Sequence, residues 1–380
     1  MTVLGQTQED ALARSAGTLA LPQDRALARA LLGQALRFLV DLDRLIDSAM
    51  PRPLPADARA RQVLRIALTG RLRLETPLHA TVATALPLLE GGPRRMAHAV
   101  MSRLEREGAA LPQTPTLPEP WASRWRATLG DSAAAALAEA LGTIPATDLR
   151  LKQPEATGEW AARLGGSSLA AGHVRLEGAV AIEALPGFDS GDWWVQDRAA
   201  QLPVEWLGEV AGRRVLDLCA APGGKTMQLA SLGAEVVALE RDKRRLARLA
   251  ANLARTGLAA RTVVADAMQW APDDGPFDAI LLDAPCSATG TFRRHPEVLY
   301  RRSPADLQAL AAQQRALLAR AAGWLRPGGK LVYAVCSIEP EEGEAVVEAA
   351  AVPGLALEDQ ARLLPGAPGD GFFIARLRRP

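Results

Sequence analysis

Cysteine is nearly absent from the sequence. It occurs three times in 380 residues, as Cys219, Cys286 and Cys336. These positions are far apart, odd in number and never in a C-x-x-C pair, which excludes a disulfide framework and a zinc knuckle. No metal is expected, and a reducing compartment fits. Lysine, tyrosine and phenylalanine are scarce while alanine, arginine, leucine and proline are abundant, a skew that reflects coding composition. The net charge is only +1, so the chain as a whole is not a polyanion binder; any nucleic-acid site must concentrate positive charge locally. No apolar run reaches the roughly 20 residues of a membrane span. The first ten residues lack the basic region and apolar core of a secretory signal. The expectation is a cytoplasmic protein with no membrane segment, and a monomer.

What is present falls into order along the chain. Residues 1–115 read as all-helical: from Asp24 onward Leu27, Leu31, Ala35, Leu39 and Leu42 recur at helical spacing, with Arg25, Arg29, Arg37 and Arg44 outside the stripe. Arg61, Arg65, Arg71, Arg73, Arg94, Arg95 and Arg103 follow on later helices. On charge alone such faces are solvated, and the bundle reads as a cap or dimerisation module. Residues 116–145 read as a proline-rich linker and a connecting helix. Residues 146–206 form a small α+β lead-in, with strands at 148–152 and 173–177. From 207 to 380 the pattern alternates: strands at 214–218, 235–240, 261–265, 278–283 and 330–335, with helices at 224–232, 242–256 and 304–325. Alternating β and α elements with short loops predict an α/β, doubly wound, mostly parallel sheet, and Gly371-Phe-Phe-Ile-Ala-Arg-Leu377 reads as an antiparallel edge strand.

The first βα turn of that sheet is Cys219-Ala220-Ala221-Pro222-Gly223-Gly224-Lys225-Thr226. A P-loop needs glycine where Cys219 stands, and G-x-G-x-x-G is absent, so neither phosphate-gripping pattern is met. The second predicted strand ends in Glu240, suited to two ribose hydroxyls, and Asp266 follows the third, suited to an exocyclic amine. A glycine turn with two acids and no phosphate grip points to a nucleoside cofactor without phosphates, S-adenosylmethionine. Either acid alone is more simply a cap for the next helix; the ordered set is not. Cys286, close after Asp283, and Cys336 both follow strand ends, where ligands bind in such sheets. A lone cysteine there is usually a small buried hydrophobe; two facing one pocket point to thiol chemistry.

These residues resemble the RNA 5-methylcytosine methyltransferases of the bacterial Fmu/Sun type. The likeness rests on Asp217-Leu-Cys-Ala-Ala-Pro-Gly-Gly-Lys-Thr226, Asp283-Ala-Pro-Cys-Ser-Ala-Thr-Gly290 with Arg293-Arg-His-Pro296, Cys336-Ser-Ile-Glu-Pro-Glu-Glu342 and Asp370-Gly-Phe-Phe373. Val195-Gln-Asp197 and the strand at 149–152 look like that family's small RNA-binding lead-in. The N-terminal helices, with Pro77-Leu-His-Ala80, look like the NusB-like domain of the branch acting on small-subunit ribosomal RNA. Three positions depart from the family pattern: Ala288 where glycine is usual, Gly343 where asparagine is common, and Lys152 where asparagine is common.

The resemblance implies an RNA-binding bundle and lead-in before a Rossmann-like S-adenosylmethionine-dependent domain, with RNA, above all 16S rRNA, as substrate. It implies that Cys336 attacks C6 of a cytosine, that Asp283 contacts the base edge, and that Cys286 assists release after C5 is methylated. Residues 219–225, Glu240, Asp266 and Asp283 would hold the cofactor; the particular role of Lys225 stays open, and Cys219 reads as structural beside the cofactor. A reachable base is single-stranded or flipped out, and Arg293, Arg294, Arg301 and Arg302 are expected to grip flanking phosphates. A transfer RNA target, or a non-ribosomal substrate of an S-adenosylmethionine-dependent methyltransferase, stays open at this point.

Overall fold

A computed structural model describes residues 7–15, 19, 21–178, 180–349, 354–366 and 368–380. The chain divides into two compact units: one runs to Ile144 and takes in Phe292–Pro304, and the other comprises Pro145–Thr291 and Ala305–Pro380.

The first unit is helical, with α1 (Gln8–Ser15), α2 (Pro22–Arg37), α3 (Leu39–Ser48), α4 (Arg59–Arg73), α5 (Leu78–Ala85), α6 (Gly91–Arg106), α7 (Trp121–Leu129) and α8 (Asp131–Gly142). Phe38, Leu42 and Ile46 pack with Leu64, Leu68, Val100, Met101 and Leu104 in one apolar cluster. The stripe expected from Leu27 to Leu42 differs in its course. Phe38 breaks α2 from α3, and within α2 the buried face is not the expected one: Leu27 is 52% exposed while Arg37 is 5% exposed. Arg37 tolerates this because its guanidinium donates to the carbonyls of Leu141, at 2.7 Å, and Arg293. Burial, reinforced by Arg293 and Arg73, lowers its pKa to about 10, so it stays cationic at neutral pH.

Most arginines of this unit are occupied within it. Arg61 donates to Asp47 and the Leu54 carbonyl and pairs with Asp43 at 3.1 Å. Arg65 pairs with Asp43, Arg71 with Glu105 and Arg103 with Glu107. Arg73 lies 4.2 Å over the Phe38 ring.

The second unit opens with the lead-in: β1 (Thr147–Leu151), α9 (Thr157–Leu164), β2 (His173–Leu176) and β3 (Trp193–Val195), in a three-stranded antiparallel sheet of order β2-β1-β3. Then come α10 (Arg198–Leu207), β4 (Arg214–Leu218), α11 (Gly224–Ser231), β5 (Glu235–Glu240), α12 (Lys243–Thr256), β6 (Arg261–Val264) and β7 (Phe277–Asp283). After β7 the chain passes through Phe292–Pro304, which contains the short α13 (Val298–Arg301) and belongs to the helical unit. There Trp125 packs on Phe292 with ring centroids 5.6 Å apart, and Trp121 donates to the Leu299 carbonyl at 3.0 Å. The chain returns as α14 (Pro304–Trp324), β8 (Leu325–Val335), α15 (Glu344–Ala349), β9 (Ala356–Leu363) and β10 (Phe372–Arg378).

The seven-stranded sheet has the order β6-β5-β4-β7-β8-β10-β9. β4 to β8 are parallel; β10 is antiparallel to both β8 and β9. Both faces are covered, which is why the strands read as apolar runs. Leu216, Ile280, Leu331 and Tyr333 face α14 residues such as Leu318 and Ala321. Val215, Ala279, Leu281 and Val332 face Ala199, Val204 and Leu207 of α10. The strand expected at 371–377 is β10, antiparallel as expected but not at the edge: it lies between β8 and β9, and β9 forms the edge. Its partner β9, with most of its residues exposed, has no apolar alternation to announce it.

Candidate active site

Parallel strands in register bring their carboxyl ends level. Leu218 of β4 lies opposite Leu239 of β5 and Leu282 of β7, and Asp283 lies opposite Ala334 of β8. The chain winds from β4 out to β6 and then crosses back to β7 beside β4, so the topological switch lies between β4 and β7, where open α/β sheets form their crevice.

The first βα turn sits at that switch. Cys219 has φ +61° and the Ala221–Pro222 peptide is cis. Gly223 has φ +106°, and a Cβ there would meet Leu249 Cγ at 2.9 Å, so glycine is required. Two α12 side chains hold the turn: Asn252 donates to the Pro222 carbonyl at 3.0 Å and Arg245 to the Ala221 carbonyl at 2.5 Å. Neither was singled out from the sequence, because one amide and one arginine on an Arg-rich helix carry no signal there. Burial drives the Cys219 thiol up to about 12, with nearby carboxylates adding to the shift, so it is an inert thiol at neutral pH.

Glu240 is 2% exposed. Its Oε1 accepts from the Asp242 amide, while Oε2 lies 3.2 Å from Arg245 without a hydrogen bond among the described residues. An acceptor left open in a buried strand-end position fits a ribose hydroxyl. Asp266 is exposed, and its Oδ1 accepts from the Met268 amide, closing the local turn. It is thus a turn cap by geometry, with its second oxygen available to an exocyclic amine. Beneath the turn, Asp217 is fully buried; Thr226 donates to its Oδ2 at 2.6 Å and its Oδ1 has no partner among the described residues. Burial raises the Asp217 carboxyl to about 7.

Lys225 crosses the switch and donates to Asp283 Oδ2 at 2.8 Å. Burial alone would lower its pKa, but the charges of Asp283, Cys336 and Asp217 outweigh it and the net shift is upward. Lys225 is therefore a fixed ammonium, with the Phe372 ring 5.4 Å away. Cys286 and Cys336 meet beside this pair, their sulfurs 3.4 Å apart. The Cys286 thiol is pushed well up, first by its hydrogen bond with Cys336 and then by burial, so Cys286 is protonated where the two face each other. The loop carrying Cys286 turns at Ala288, φ +61°, which accounts for the glycine usual there. It then runs against the closing motif: a Cβ on Gly290 would lie 2.1 Å from the Gly371 carbonyl oxygen, and Gly371 donates to the Gly290 carbonyl at 2.8 Å.

The lead-in is tied to this machinery. Gln196 donates to Gln228 of α11 at 2.9 Å, Asp197 accepts from the Asp370 amide at 3.0 Å, and Lys152 donates to the Thr256 carbonyl at the end of α12 at 2.6 Å. The four arginines after the second motif lie in the helical unit. Arg293 is 4% exposed, so the phosphate grip expected of it is not offered at the surface; Arg294, Arg301 and Arg302 are half-buried. Among the described residues no group of three or more histidines, cysteines and acids is placed to hold a metal. No helix among them is long and apolar enough to cross a membrane.

Residues 204–378 match the family described as 16S rRNA methyltransferase RsmB/F. Ribosomal RNA small subunit methyltransferase B of Xanthomonas campestris pv. campestris is 38% identical over 352 residues, covering 86% of this chain and 79% of that protein. The protein of the same name from Klebsiella pneumoniae is 34% identical, covering 93% of this chain and 90% of its own. The solved structure of PH0851 superposes with a TM-score of 0.79 at 23% identity, covering 98% of this chain and 93% of that one. A methyltransferase homologue from Pyrococcus horikoshii gives 0.61 at 26% identity, over 73% of this chain and 98% of its own. The chain belongs to the RsmB/F family of 16S rRNA methyltransferases, enzymes dependent on S-adenosylmethionine.

Proposed function

We propose that this enzyme methylates C5 of a cytosine in small-subunit ribosomal RNA, with Cys336 as nucleophile and Cys286 as its partner in release. The observation that carries this reading is the pair of thiols 3.4 Å apart at the ends of neighbouring strands, beside the Lys225–Asp283 pair. S-adenosylmethionine, held by 219–225, Glu240 and Asp266, supplies an electrophilic methyl group. C5 of cytosine is a poor nucleophile. Addition of the Cys336 thiolate to C6 makes C5 nucleophilic and splits one difficult step into easier ones. The Lys225 ammonium donates to Asp283 and holds it toward the cytosine edge. Before attack Cys286 is hydrogen-bonded to the Cys336 sulfur. Once Cys336 is a thioether that hydrogen bond no longer holds the Cys286 proton, which passes to solvent; the Cys286 thiolate takes the proton on C5, the C5–H electron pair re-forms the C5–C6 double bond, and the C6–S bond breaks to release Cys336 as a thiolate.

Labelled methyl transfer to 16S rRNA tests this directly. Cys336→Ala is expected to abolish transfer while leaving the affinity for the methyl donor within about twofold, because Cys336 lies outside the cradle. Cys286→Ala is expected to accumulate a protein–RNA adduct that survives denaturing electrophoresis. Transfer at the native rate by Cys336→Ala overturns the nucleophile assignment.

RNA docking by the helical unit rests on fewer arginines than the sequence offers. Arg94 and Arg95 have no ion-pair partner among the described residues, and with His98 they edge an open cleft of about 460 Å³ lined by Val82, Ala83, Leu86 and Pro87. These two are among the cations available to a phosphate backbone. Deleting residues 1–115 would not isolate this role. It would also strip Tyr300 of its hydrogen bond to the Leu36 carbonyl and the Arg293 carbonyl of its partner Arg37.

A further inference from the structure

A carboxylate that the reaction does not use lies between the two thiol loops. Glu342 is 0% exposed. Its Oε1 accepts from the Ser287 amide at 2.9 Å and from Gln314 Nε2 at 3.0 Å. Its Oε2 accepts from the hydroxyls of Ser287 and Ser337, both at 2.5 Å. Four donors match the four lone-pair sites of an ionised carboxylate, so the group is fully satisfied although buried. Ser287 follows Cys286 directly, and Ser337 follows Cys336 directly. One carboxylate therefore holds both loops one residue away from each sulfur.

Nothing else joins the loops as firmly. The β7–β8 pairing ends with the Ala284 amide donating to the Ala334 carbonyl at 2.9 Å, short of either cysteine. Past that point, among the described residues, the Gly290 amide donates to the Cys336 carbonyl at 3.0 Å, the Thr289 hydroxyl accepts from the Ile338 amide at 3.2 Å, the Ser337 hydroxyl lies 3.2 Å from those of Ser287 and Thr289, and the two sulfurs meet at 3.4 Å. These contacts carry no carboxylate, whereas the bonds to Glu342 are charge-assisted and roughly twice as strong as bonds between neutral groups. Glu342 is itself anchored: Tyr333 donates to its carbonyl at 2.6 Å, and Gln314 also donates to the Pro285 carbonyl at 2.9 Å, tying the assembly to α14.

We propose that Glu342 is a positioning residue which sets the spacing of the Cys286 and Cys336 sulfurs, and through it the rates of attack on the base and of release. This rests on the assignment of the two thiols made above. A displacement of about 1 Å in a reacting group costs on the order of 100-fold in rate, and Glu342 touches no residue of the methyl-donor cradle.

The test uses the full chain with Glu342→Ala, Glu342→Gln and Ser337→Ala, beside Cys336→Ala and Cys286→Ala. The readouts are kcat and KM for methyl transfer to 16S rRNA, methyl-donor affinity by calorimetry, and the fraction of adduct on denaturing gels. All are taken at a temperature where circular dichroism shows each variant folded. Glu342→Ala is expected to lose about 100-fold in kcat with methyl-donor affinity within about twofold of native. Glu342→Gln keeps an acceptor for the two N–H donors and is expected to recover about tenfold of that loss. Ser337→Ala is expected to fall between Glu342→Gln and the native enzyme. Adduct should accumulate in Glu342→Gln even with both cysteines present. Native kcat in folded Glu342→Ala overturns the proposal, as does a loss confined to KM for the methyl donor. If Glu342→Ala does not fold, native kcat in both Glu342→Gln and Ser337→Ala overturns it. Failure of the thiol assignment reads differently: Cys336→Ala would then retain transfer, whatever the Glu342 variants do.

Discussion

The arginines of helices α4 and α6 and the acids at the strand ends of the α/β unit differ in how far the fold satisfies them. In the helices, Arg61 contacts Asp43, Asp47 and a backbone carbonyl, and Arg65, Arg71 and Arg103 each have a carboxylate. Their charge is absorbed by the fold. At the strand ends, Glu240 Oε2 and Asp217 Oδ1 are buried without hydrogen-bond partners among the described residues. A buried lone pair left open costs stability of about 1–3 kcal/mol, which a binding site recovers when its ligand arrives. Abundance of charge therefore says little about where ligands bind.

Four substitutions would break or sharpen that contrast. Glu240→Ala should weaken methyl-donor binding about 100-fold, the worth of charge-assisted bonds to ribose hydroxyls, and leave the helical unit untouched; calorimetry reads it. Unchanged affinity would reduce Glu240 to a cap for Asp242. Arg61→Ala should do the reverse. It leaves the donor affinity unchanged but destabilises the helical unit by about 2 kcal/mol in denaturant titration, a buried-pair loss discounted for the partial exposure of Asp43 and Asp47.

Asp217→Asn should alter the dependence of stability on pH. Folding raises the Asp217 carboxyl from 3.8 to about 7. Between those values the folded state binds more protons than the unfolded one. The stability from this group is thus fully present below about pH 4, is lost as pH rises toward about 7, and is level above it. The native protein should lose about 1.4 kcal/mol per pH unit from this source across that window, relative to Asp217→Asn. Parallel stability curves for the two proteins would show that Asp217 is ionised in the fold. The smallest stability effect belongs to Arg94→Ala with Arg95→Ala: within about 0.5 kcal/mol, because neither carries an ion pair in the unit. RNA binding should fall, and its log–log salt slope should drop by about 2, one for each phosphate no longer neutralised. An unchanged salt slope would leave the helical unit without a role in docking.

Much of the α/β unit was legible because its signals are local. Apolar runs ending in acids or turns mark the parallel strands, and glycine marks the tight turn at Gly223. The departures from the family pattern became intelligible only in three dimensions. Ala288 occupies a left-handed position that glycine fills without strain, Lys152 caps the carbonyl end of α12 through Thr256, and Gly343 leaves room for the Phe373 ring 2.9 Å from where its Cβ would stand. Arg37 reads as a solvated charge and Arg293 as a phosphate grip, and both are buried. Arg37 is buried against the carbonyls of Leu141 and Arg293, partners so distant in sequence that helical periodicity carries no sign of them.

By itself the sequence determined the parallel strands and the cofactor class and singled out the two thiols proposed here for the chemistry, since each depends on a few neighbouring residues with fixed chemistry. The tertiary structure alone decided what those residues face. Lys225 found Asp283 across 58 positions of chain, Cys286 found Cys336 across 50, and Glu342 reached Ser287 across 55. Those meetings follow from strand order and register in a parallel sheet, which juxtapose distant loops without leaving any trace in local spacing.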